Sequence, residues 1–427
     1  MANKTLFSKS EAILALCLLV SAGSRAVAQQ HEMPEAPSVT RAGLIEAQEA
    51  AKAQKLIPLA PPRGQQVFEE IENNVLYPIF WPNGWSLKLG GLPTGAGFTL
   101  GPRYTRTDLL RDSVTTDTSL VGSTKLWWRG GTALAAPSVA DGHLSFRLDA
   151  AYEDAASVEF YGEGPTSSKA GKSNFRREFT TTHFETGVHT FRDKLSIGYR
   201  IGGLLANVGE GGDHSQPSTK QIYSETNTPG LERQSHFVTG TSFADIDLTK
   251  HGFDNPSGFH FEVENTQFWD KTWGGMYSFD LLSTQGAYYF SFANGMRTLA
   301  VRARNETAFT NGNHQIPFYL QPTLGGSNDL RGYNRYRFYG NGSSLVNVEY
   351  RWPLAQVLEM AVFADGGNVY QRPGLIGLRH TRGDGGFGFR FKKKEATFMR
   401  IDMGISPEGV QAWFVFNPVF GKLSHSF

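Results

Sequence analysis

The sequence of 427 residues contains a single cysteine, Cys17. One thiol excludes intramolecular disulfides and zinc sites built from several cysteines. Long apolar runs are also missing, because no stretch after residue 30 approaches the roughly 18 uninterrupted apolar residues of a membrane-spanning helix. The net charge is only +1, and no basic patch indicates nucleic-acid binding. These absences exclude a disulfide-stapled fold, a helical membrane protein and a nucleic-acid-binding domain.

Signatures of catalysis are equally sparse. The sequence has neither a G-x-S-x-G elbow nor an H-E-x-x-H motif, and its eleven histidines are scattered. The glycines of Gly162-Glu-Gly164 follow an aromatic strand end instead of opening a helix, which predicts a turn. We therefore expect no enzymatic activity, no cofactor and no metal; a lipase or deacylase borne by the strands is the enzymatic alternative.

The N-terminus has the order of a secretory signal peptide. Lys4 and Lys9 precede the apolar run 12–20, and small residues then lead to Ala26-Val27-Ala28. This arrangement predicts that residues 1–28 are removed by cleavage before Gln29. A lipoprotein signal needs a small residue before its cysteine, but Leu16 precedes Cys17, so no lipid anchor is expected.

Residues 29–80 differ from the rest of the chain. The segment 41–55 is rich in Ala, Glu and Lys and predicts a short helix, which Pro58, Pro61 and Pro62 end. A second short helix is predicted over 65–73. We interpret 29–80 as a helical, Pro-rich periplasmic tether or plug; plain disorder is the alternative.

From residue 81 to 427 apolar and polar residues alternate in several segments. The clearest are 144–153, 259–264, 299–304 and 399–405. Period two gives a strand one apolar and one polar face, and an apolar face of this kind suits lipid while a charged one suits a watery lumen. The predicted lumen face carries charged residues at Glu262, Glu264, Arg302, Arg304, Arg400 and Asp402.

Backbone groups in lipid must all be hydrogen-bonded, so such a sheet must close on itself. We therefore predict an all-β fold, a closed antiparallel transmembrane β-barrel over 81–427 with about sixteen strands, about fourteen being the alternative. A secreted β-sandwich or propeller is the alternative fold. Aromatic girdles at the membrane interfaces are expected from Trp127, Trp128, Tyr288, Tyr289, Trp352 and Trp413. Strands are predicted at 94–107, 118–130, 143–153, 174–189, 194–206, 234–248, 257–269, 275–291, 296–309, 343–352, 357–366, 384–393, 397–406 and 409–417, with a further hairpin within 81–93 or 207–233.

A long segment without a strand pattern, 311–344, interrupts the strands. Loops of this length are usually functional or disordered, and its repeated Tyr and Arg make disorder the less attractive interpretation. It contains the tetrad Leu330-Arg331-Gly332-Tyr333, which resembles the apolar-Arg-Gly-aromatic hallmark of the BamA/TamA assembly-factor superfamily, also called bacterial surface antigen barrels.

Further motifs match the same superfamily in the same order. Residues 348–352 resemble its first strand after the loop, 363–366 its F-x-D-x-G signature, and 386–391 its G-x-G-x-R strand. Residues 160–164 and 317–319 are also similar. The resemblance covers most of 94–420 and implies an outer membrane barrel whose long loop folds inward.

The residues themselves place a charged cluster at that loop. Alternation turns Asn347, Glu349 and Arg351 inward on one strand, and on the next it turns Asp365 inward with Ala361 and Phe363. Arg331 can then reach Glu349 and Asp365, since guanidinium–carboxylate pairing is directional. We predict that this cluster pins the loop inside the barrel; three unrelated charges solvated by water are the alternative. Gly386 and Gly388 share the inward face with Arg390 and are expected to let the loop backbone approach.

The chain departs from the superfamily in one respect, because residues 29–80 are too short and too helical for a POTRA domain. A separate periplasmic module is therefore an expected partner, together with outer membrane lipids and unfolded outer membrane or secreted polypeptides. In the first functional hypothesis, a weak seam between the first and last strands opens to insert or translocate polypeptides. Residues 411–416 would then form one side of the seam, and Phe427 an assembly signal. In the second, the barrel is a passive or selective pore for small solutes, with the loop as its constriction.

Overall fold

The structure of the protein is a computed structural model. It describes Gln48, 83–93, 95–191, 193–251, 256–355, 357–372, 380–393, 396–416, Phe420 and Leu423. The chain divides into two compact units, 1–61 and 62–427. Gln48, the described residue of the first unit, is helical. The predicted signal peptide, the predicted helix at 65–73 and Phe427 lie outside the described residues.

All of the described strands belong to the second unit. They are β1 Gly84–Leu89, β2 Thr99–Leu109, β3 Val114–Ser123, β4 Trp128–Val139, β5 Leu144–Phe160, β6 Ser173–Thr190, β7 Leu195–Glu210, β8 His236–Asp247, β9 Lys250–His251, β10 Pro256–Asp270, β11 Phe279–Phe292, β12 Arg297–Phe309, β13 Thr323–Leu324, β14 Phe338–Tyr339, β15 Gly342–Ala355, β16 Leu358–Tyr370, β17 Arg382–Lys393, β18 Ala396–Ser406 and β19 Gly409–Val415. Among the described residues, no helix is long and apolar enough to cross a membrane.

One antiparallel sheet contains seventeen of these strands, and β13 pairs with β14 separately. Both β8 and the two-residue β9 pair with β10, so the described part of the chain contributes sixteen strands of at least six residues to the sheet. This confirms the predicted strand number. Long strands that follow each other in the chain pair with each other from β1 to β19. No register among the described residues returns from β19 to β1, and closure into a barrel therefore remains a prediction.

The two faces of the sheet differ in chemistry. On β15, Val346 is 48% exposed while its neighbours Asn347 and Glu349 are fully buried. On β18, Ile401 and Met403 are exposed and Asp402 is buried. An apolar face that remains exposed, opposite a charged face that is buried, inverts the usual arrangement of a sheet in water. We call these the apolar face and the buried face.

The structure corrects one predicted strand. Residues 118–130 are not one strand but the end of β3, a turn and the start of β4, and the Ser123 N–H donates to the Trp127 carbonyl at 2.8 Å across the turn. The turn residues Gly-Ser-Thr-Lys at 122–125 were the missed signal. Of the two places proposed for a further hairpin, 81–93 holds β1, whereas 207–233 holds the end of β7 and the short helix Thr219–Ile222.

The aromatic residues predicted for the membrane interfaces do not all lie together. Trp128 and Tyr288 are exposed, at 40% and 51%. The expectation is wrong for Trp127, which is 2% exposed and packs in a hydrophobic core. It is also wrong for Tyr289, which packs toward Phe420 and Ala300, and for Trp413, whose indole reaches the loop. Trp352 stacks near Tyr350, with ring centroids 5.5 Å apart.

The hairpin of β3 and β4 can be tested by cross-linking. Thr118 and Thr132 are directly paired, and their hydroxyl oxygens lie 2.8 Å apart. In a Cys17→Ala background, we expect Thr118→Cys with Thr132→Cys to form a disulfide on mild oxidation, because the side chains lie on one face at the required spacing. The measurement is a reductant-sensitive shift in gel mobility.

The matched control is Thr118→Cys with Ala133→Cys. A step of one residue turns the second side chain to the opposite face, so this pair should stay reduced. Equal cross-linking of both pairs would contradict the register.

Candidate functional site: the loop cluster

The connection between β12 and β15 folds over the buried face. Its first part packs on the middle strands of the sheet: the Phe318 ring lies 5.2 Å from Phe160 and 4.7 Å from Phe175, and Tyr319 lies 6.2 Å from Phe179. The Tyr339 hydroxyl donates to the Glu159 carbonyl at 2.8 Å. The base of the loop is thus fixed to β5 and β6 by aromatic packing.

The tip of the loop lies against a different part of the sheet. Arg331 is fully buried and donates to Asp365 of β16 from Nε at 2.8 Å and from its terminal nitrogen at 2.7 Å. Its other terminal nitrogen pairs with Glu349 of β15. The guanidinium carbon lies 3.4 Å from the centre of the Phe363 ring. Arg331 therefore makes a bidentate ion pair, a second ion pair and a cation–π contact.

Glu349 is shared by three arginines. Besides Arg331, it accepts from Arg351 at 2.7 Å and from Arg390 at 2.8 Å. Arg390 also donates to Asp402 at 2.5 Å, and Asp402 in turn pairs with Arg400. The network thus connects β15 through β17 to β18, and charges buried in this way are tolerated only when they are paired.

The loop backbone is held as well. The Trp413 indole donates to the Arg331 carbonyl at 2.7 Å, and the Ser406 hydroxyl donates to the Gly332 carbonyl at 2.7 Å. Gly404 lies directly beneath, where an added Cβ would be 2.6 Å from the Gly332 nitrogen. The tip is therefore fixed by β18 and β19 through its main chain and by β15 and β16 through its side chain.

A second arginine joins distant parts of the sheet. Arg337 donates to Glu408, in the β18–β19 turn, at 2.8 to 2.9 Å, and to the carbonyl of Ser167, in the β5–β6 connection, at 2.9 Å. The Lys169 ammonium also donates to the Glu408 carbonyl, at 3.0 Å. The sheet therefore curls far enough for these two connections to meet over the loop.

Burial and charge act in opposite directions on the ionised groups of the loop. For Arg331, burial lowers the pKa, but the carboxylates of Glu349 and Asp365 raise it further, so that the pKa lies above its ordinary value. For Asp329, burial raises the pKa although Arg304 donates to its carboxylate at 2.7 Å. Arg331 accordingly remains a permanent cation, held by carboxylates.

The structure places the predicted residues as follows. Leu330 and Tyr333 are buried in a small hydrophobic core with Leu324 and Phe338. The predicted inward residues Phe363, Arg390, Arg400 and Asp402 are all buried on the same face of the sheet.

The expectation for two glycines needs correction. An added Cβ would meet the Phe363 ring at Gly386, at 2.6 Å, and the Arg390 side chain at Gly388, at 2.8 Å. At both glycines the atoms nearest to such a Cβ belong to the sheet, whereas at Gly404 they belong to the loop backbone. Which glycine meets the loop depends on the path of the loop, and no local pattern indicates it.

Sequence reasoning also missed several partners of the loop. Asn347 donates to Asp365 at 2.7 Å and to the Asp329 carbonyl at 2.8 Å. Arg302 pairs with Asn347 and with the Asn328 carbonyl. The alternation of polar and apolar residues predicted that Arg302 and Asn347 point inward. The polar loop residues Ser327-Asn328-Asp329 carry no pattern that indicates which strand they contact.

One group of possible metal ligands occurs among the described residues. Atoms of Asp245, His260 and Glu262 lie within 4.8 Å of one another. His260 Nε2 is 3.2 Å from the Asp245 carboxylate and 3.4 Å from that of Glu262. The three side chains come from the paired strands β8 and β10, and their mutual contacts account for these distances.

Comparisons with known proteins agree with this architecture. Residues 213–375 match the Omp85 superfamily domain. The fold is similar to BamA from Haemophilus ducreyi lacking POTRA domains 1-3, with a TM-score of 0.58 and 12% identity over 78% of this chain and 69% of that one. It is also similar to CdiB from Escherichia coli, with a TM-score of 0.53 and 11% identity over 78% of this chain and 62% of that one. No curated protein matches the sequence.

Replacing Arg331 tests whether the cluster holds the loop. Arg331→Ala leaves Glu349 and Asp365 without their shared partner, and breaking a buried pair in this way costs about 3–5 kcal/mol. We expect faster protease cleavage within 311–341 in the folded protein. Arg297→Ala, at the first residue of β12 and at the opposite end of that strand from the loop, is the control. Unchanged cleavage of the loop in Arg331→Ala would show that the cluster does not hold it.

Replacing Gly404 tests the main-chain contact independently. Gly404→Ala places a Cβ against the loop backbone and should displace the tip, again increasing protease cleavage of the loop. Gly366→Ala is the matched control, because an added Cβ there meets nothing within 4 Å and should leave the loop as protected as in the unmodified protein. If the Gly404→Ala and Gly366→Ala variants both resist protease as well as the unmodified protein does, the contact at Gly404 does not hold the loop.

Proposed function

We propose that this chain, which carries an Omp85 superfamily domain, is a bacterial outer membrane β-barrel that inserts polypeptides into that membrane or translocates them across it. The observation that carries the proposal is the loop fixed over the buried face of the sheet by Arg331, next to an edge where no pairing of β19 with β1 occurs among the described residues. The following points support it.

The distribution of side chains supports a position in a bilayer. The apolar face exposes Val346, Val362, Phe387, Ile401 and Phe414, each at 37% or more. A sheet with one face in hydrocarbon has to pair its last edge, so we infer that β19 meets β1 when the barrel is closed. The Phe98 and Phe416 rings already lie 6.0 Å apart across those edges.

The remainder of the chain fits export to the outer membrane. In this proposal residues 1–28 are a signal peptide cleaved before Gln29, 29–80 are a periplasmic segment and 81–427 form the barrel. The short turns 110–113, 140–143 and 293–296 would face the periplasm, as is usual for such barrels. A separate periplasmic protein would supply client docking.

The seam itself supports handling of polypeptides. β1 has six residues and pairs with β2, and β19 has seven and pairs with β18. Strands this short form few hydrogen bonds with each other, and an open edge offers unpaired N–H and C=O groups to an incoming strand. The proposed mechanism is that the seam opens and a client strand pairs with a free edge.

A pore for small solutes is less well supported. The loop buries Arg331, Arg337 and Tyr339 and joins opposite parts of the sheet, so it is built as a fixed element. A constriction that admits solutes would leave such charges in contact with water. The seam, rather than the interior, is therefore the proposed route.

Locking the seam tests the proposal. A Cβ on Gly90 would lie 3.6 Å from the Phe416 Cβ, which is the spacing of a disulfide. In a Cys17→Ala background, Gly90→Cys with Phe416→Cys should cross-link the edges. In proteoliposomes, the oxidised protein should lose its ability to fold an added unfolded outer membrane barrel, and reduction should restore it. Folding of the client is read from its heat-modifiable gel mobility.

The control is the disulfide Thr118→Cys with Thr132→Cys, which joins one hairpin and leaves the seam free. It should support client folding in both redox states. If neither protein folds the client in either state and both show the same steady conductance in planar bilayers, the chain is a pore and the proposal is wrong.

A further inference from the structure

One cation of the loop has no acidic partner. Among the described residues no carboxylate lies within ion-pair distance of Arg335, and its Nε is buried without a hydrogen-bond partner. Its guanidinium carbon lies 5.4 Å from the centre of the Trp413 ring. Its side chain also lies so close to Gly95 that an added Cβ there would overlap it. Arg335 thus stands between the β1–β2 connection and β19, at the seam.

This isolation is unusual within the loop. Arg331 and Arg337 both have carboxylate partners. Burial lowers the pKa of Arg335 to about 10, which expresses the cost of holding its charge in this place. The side chain of Arg335 is partly exposed, but its Nε atom is enclosed, and an enclosed charge is normally paired. No described carboxylate supplies the partner, so the site is open to an anion that enters it.

A cavity with room for such a partner opens beside Arg335. It has a volume of about 780 Å³ and lies between the β1–β2 connection, the loop and β19. Three more buried polar atoms on its wall, Ser327 Oγ, Gln321 Oε1 and Arg177 Nε, have no hydrogen-bond partner among the described residues. Lys125 and Arg177 are the other cations of the lining, and Arg177 is paired with Glu153. The lining carboxylate, Glu306, lies 3.9 Å from Arg304 and so has a cation of its own.

The other end of the cavity is apolar. Phe98, Phe414 and Phe416 line it, and the first two are exposed, at 45% and 51%. A ligand that fills the cavity would place an anionic group on Arg335 and an apolar group among these phenylalanines. This combination describes an amphiphile better than a polypeptide, whose amide groups would have no partners at the apolar end.

We propose that the seam cavity binds the phosphate-bearing headgroup of an anionic lipid on Arg335, with Ser327 as a hydrogen-bond donor and the acyl chain along Phe98 and Phe414. The inference rests on the proposed position in a membrane but not on the handling of polypeptides. Because the site includes both edges of the seam, the bound lipid contacts β19 and the β1–β2 connection together.

Native mass spectrometry of the full chain in a neutral detergent tests the proposal. The probes are phosphatidylglycerol, phosphatidylcholine and inorganic phosphate, each titrated into delipidated protein. We expect one retained phosphatidylglycerol per chain, and about tenfold weaker retention in Arg335→Gln, because a charge-assisted hydrogen bond is lost. Arg297→Gln removes an arginine from the first position of β12, outside the cavity lining, and should retain the lipid as the unmodified protein does.

Three outcomes would overturn the proposal: equal retention of phosphatidylcholine, binding of inorganic phosphate alone, or equal loss in Arg335→Gln and Arg297→Gln. Displacement of the lipid by an unfolded client peptide, with tighter binding of that peptide, would assign the cavity to a polypeptide and also overturn it. Ser327→Ala, which leaves the charge in place, is the second variant, and heat-modifiable mobility reports whether each variant is folded. The two proposals can fail separately. If the protein binds the lipid but neither the seam-locked protein nor its hairpin control folds a client, the proposed function is refuted and this inference stands.

Discussion

The burial of Arg331 is the constraint on which the rest of the structure depends. A guanidinium this deeply buried requires acceptors in fixed positions, and Asp365 and Glu349 provide them from adjacent strands. The two carboxylates together carry one more negative charge than Arg331 can neutralise. Arg351 and Arg390 provide further positive charge at Glu349. Each added ion demands a further partner, so that the network spreads over four consecutive strands. Hydrophobic packing of Leu330 and Tyr333 fixes the tip beside it.

The two faces of the sheet explain why a chain of such moderate hydropathy can have an exposed apolar surface. Polar and apolar residues alternate along each strand, so the hydropathy averaged along the strand is moderate. The apolar side chains nevertheless all point to one face of the sheet and the polar side chains to the other. The mean hydropathy of −0.33 conceals this separation. Only the side chains on alternating positions, such as Val346 and Asn347, reveal it.

Much of the fold could be predicted from the sequence, because period two is a local property. It assigns a face to Glu349, Asp365, Arg390 and Asp402 before any tertiary contact is known. The prediction erred where a turn has no Pro or Asn-Gly pair, as at 122–125, and two strands merged into one. It also erred where the path of the loop decides: Gly404, rather than Gly386 or Gly388, meets the loop, and Trp413 binds its main chain. A path of this kind is set by distant packing, such as Phe318 on Phe160 and Phe175, which neighbouring residues do not encode.

The contacts of the loop with β18 and β19 make the two edges of the sheet unequal. Trp413, Ser406 and Glu408 all bind the loop, which is itself fixed to β5 and β15. The β1–β2 connection contacts the loop differently, through the Arg335 side chain beside Gly95 and through Ala96 in the hydrophobic core that includes Phe318 and Tyr319. Hydrogen bonds and ion pairs therefore hold the last strand to the loop, whereas the first hairpin is held by apolar packing and one arginine side chain. If the seam opens as proposed, separation at the first hairpin leaves the interior ion pairs intact, and separation at β19 breaks them.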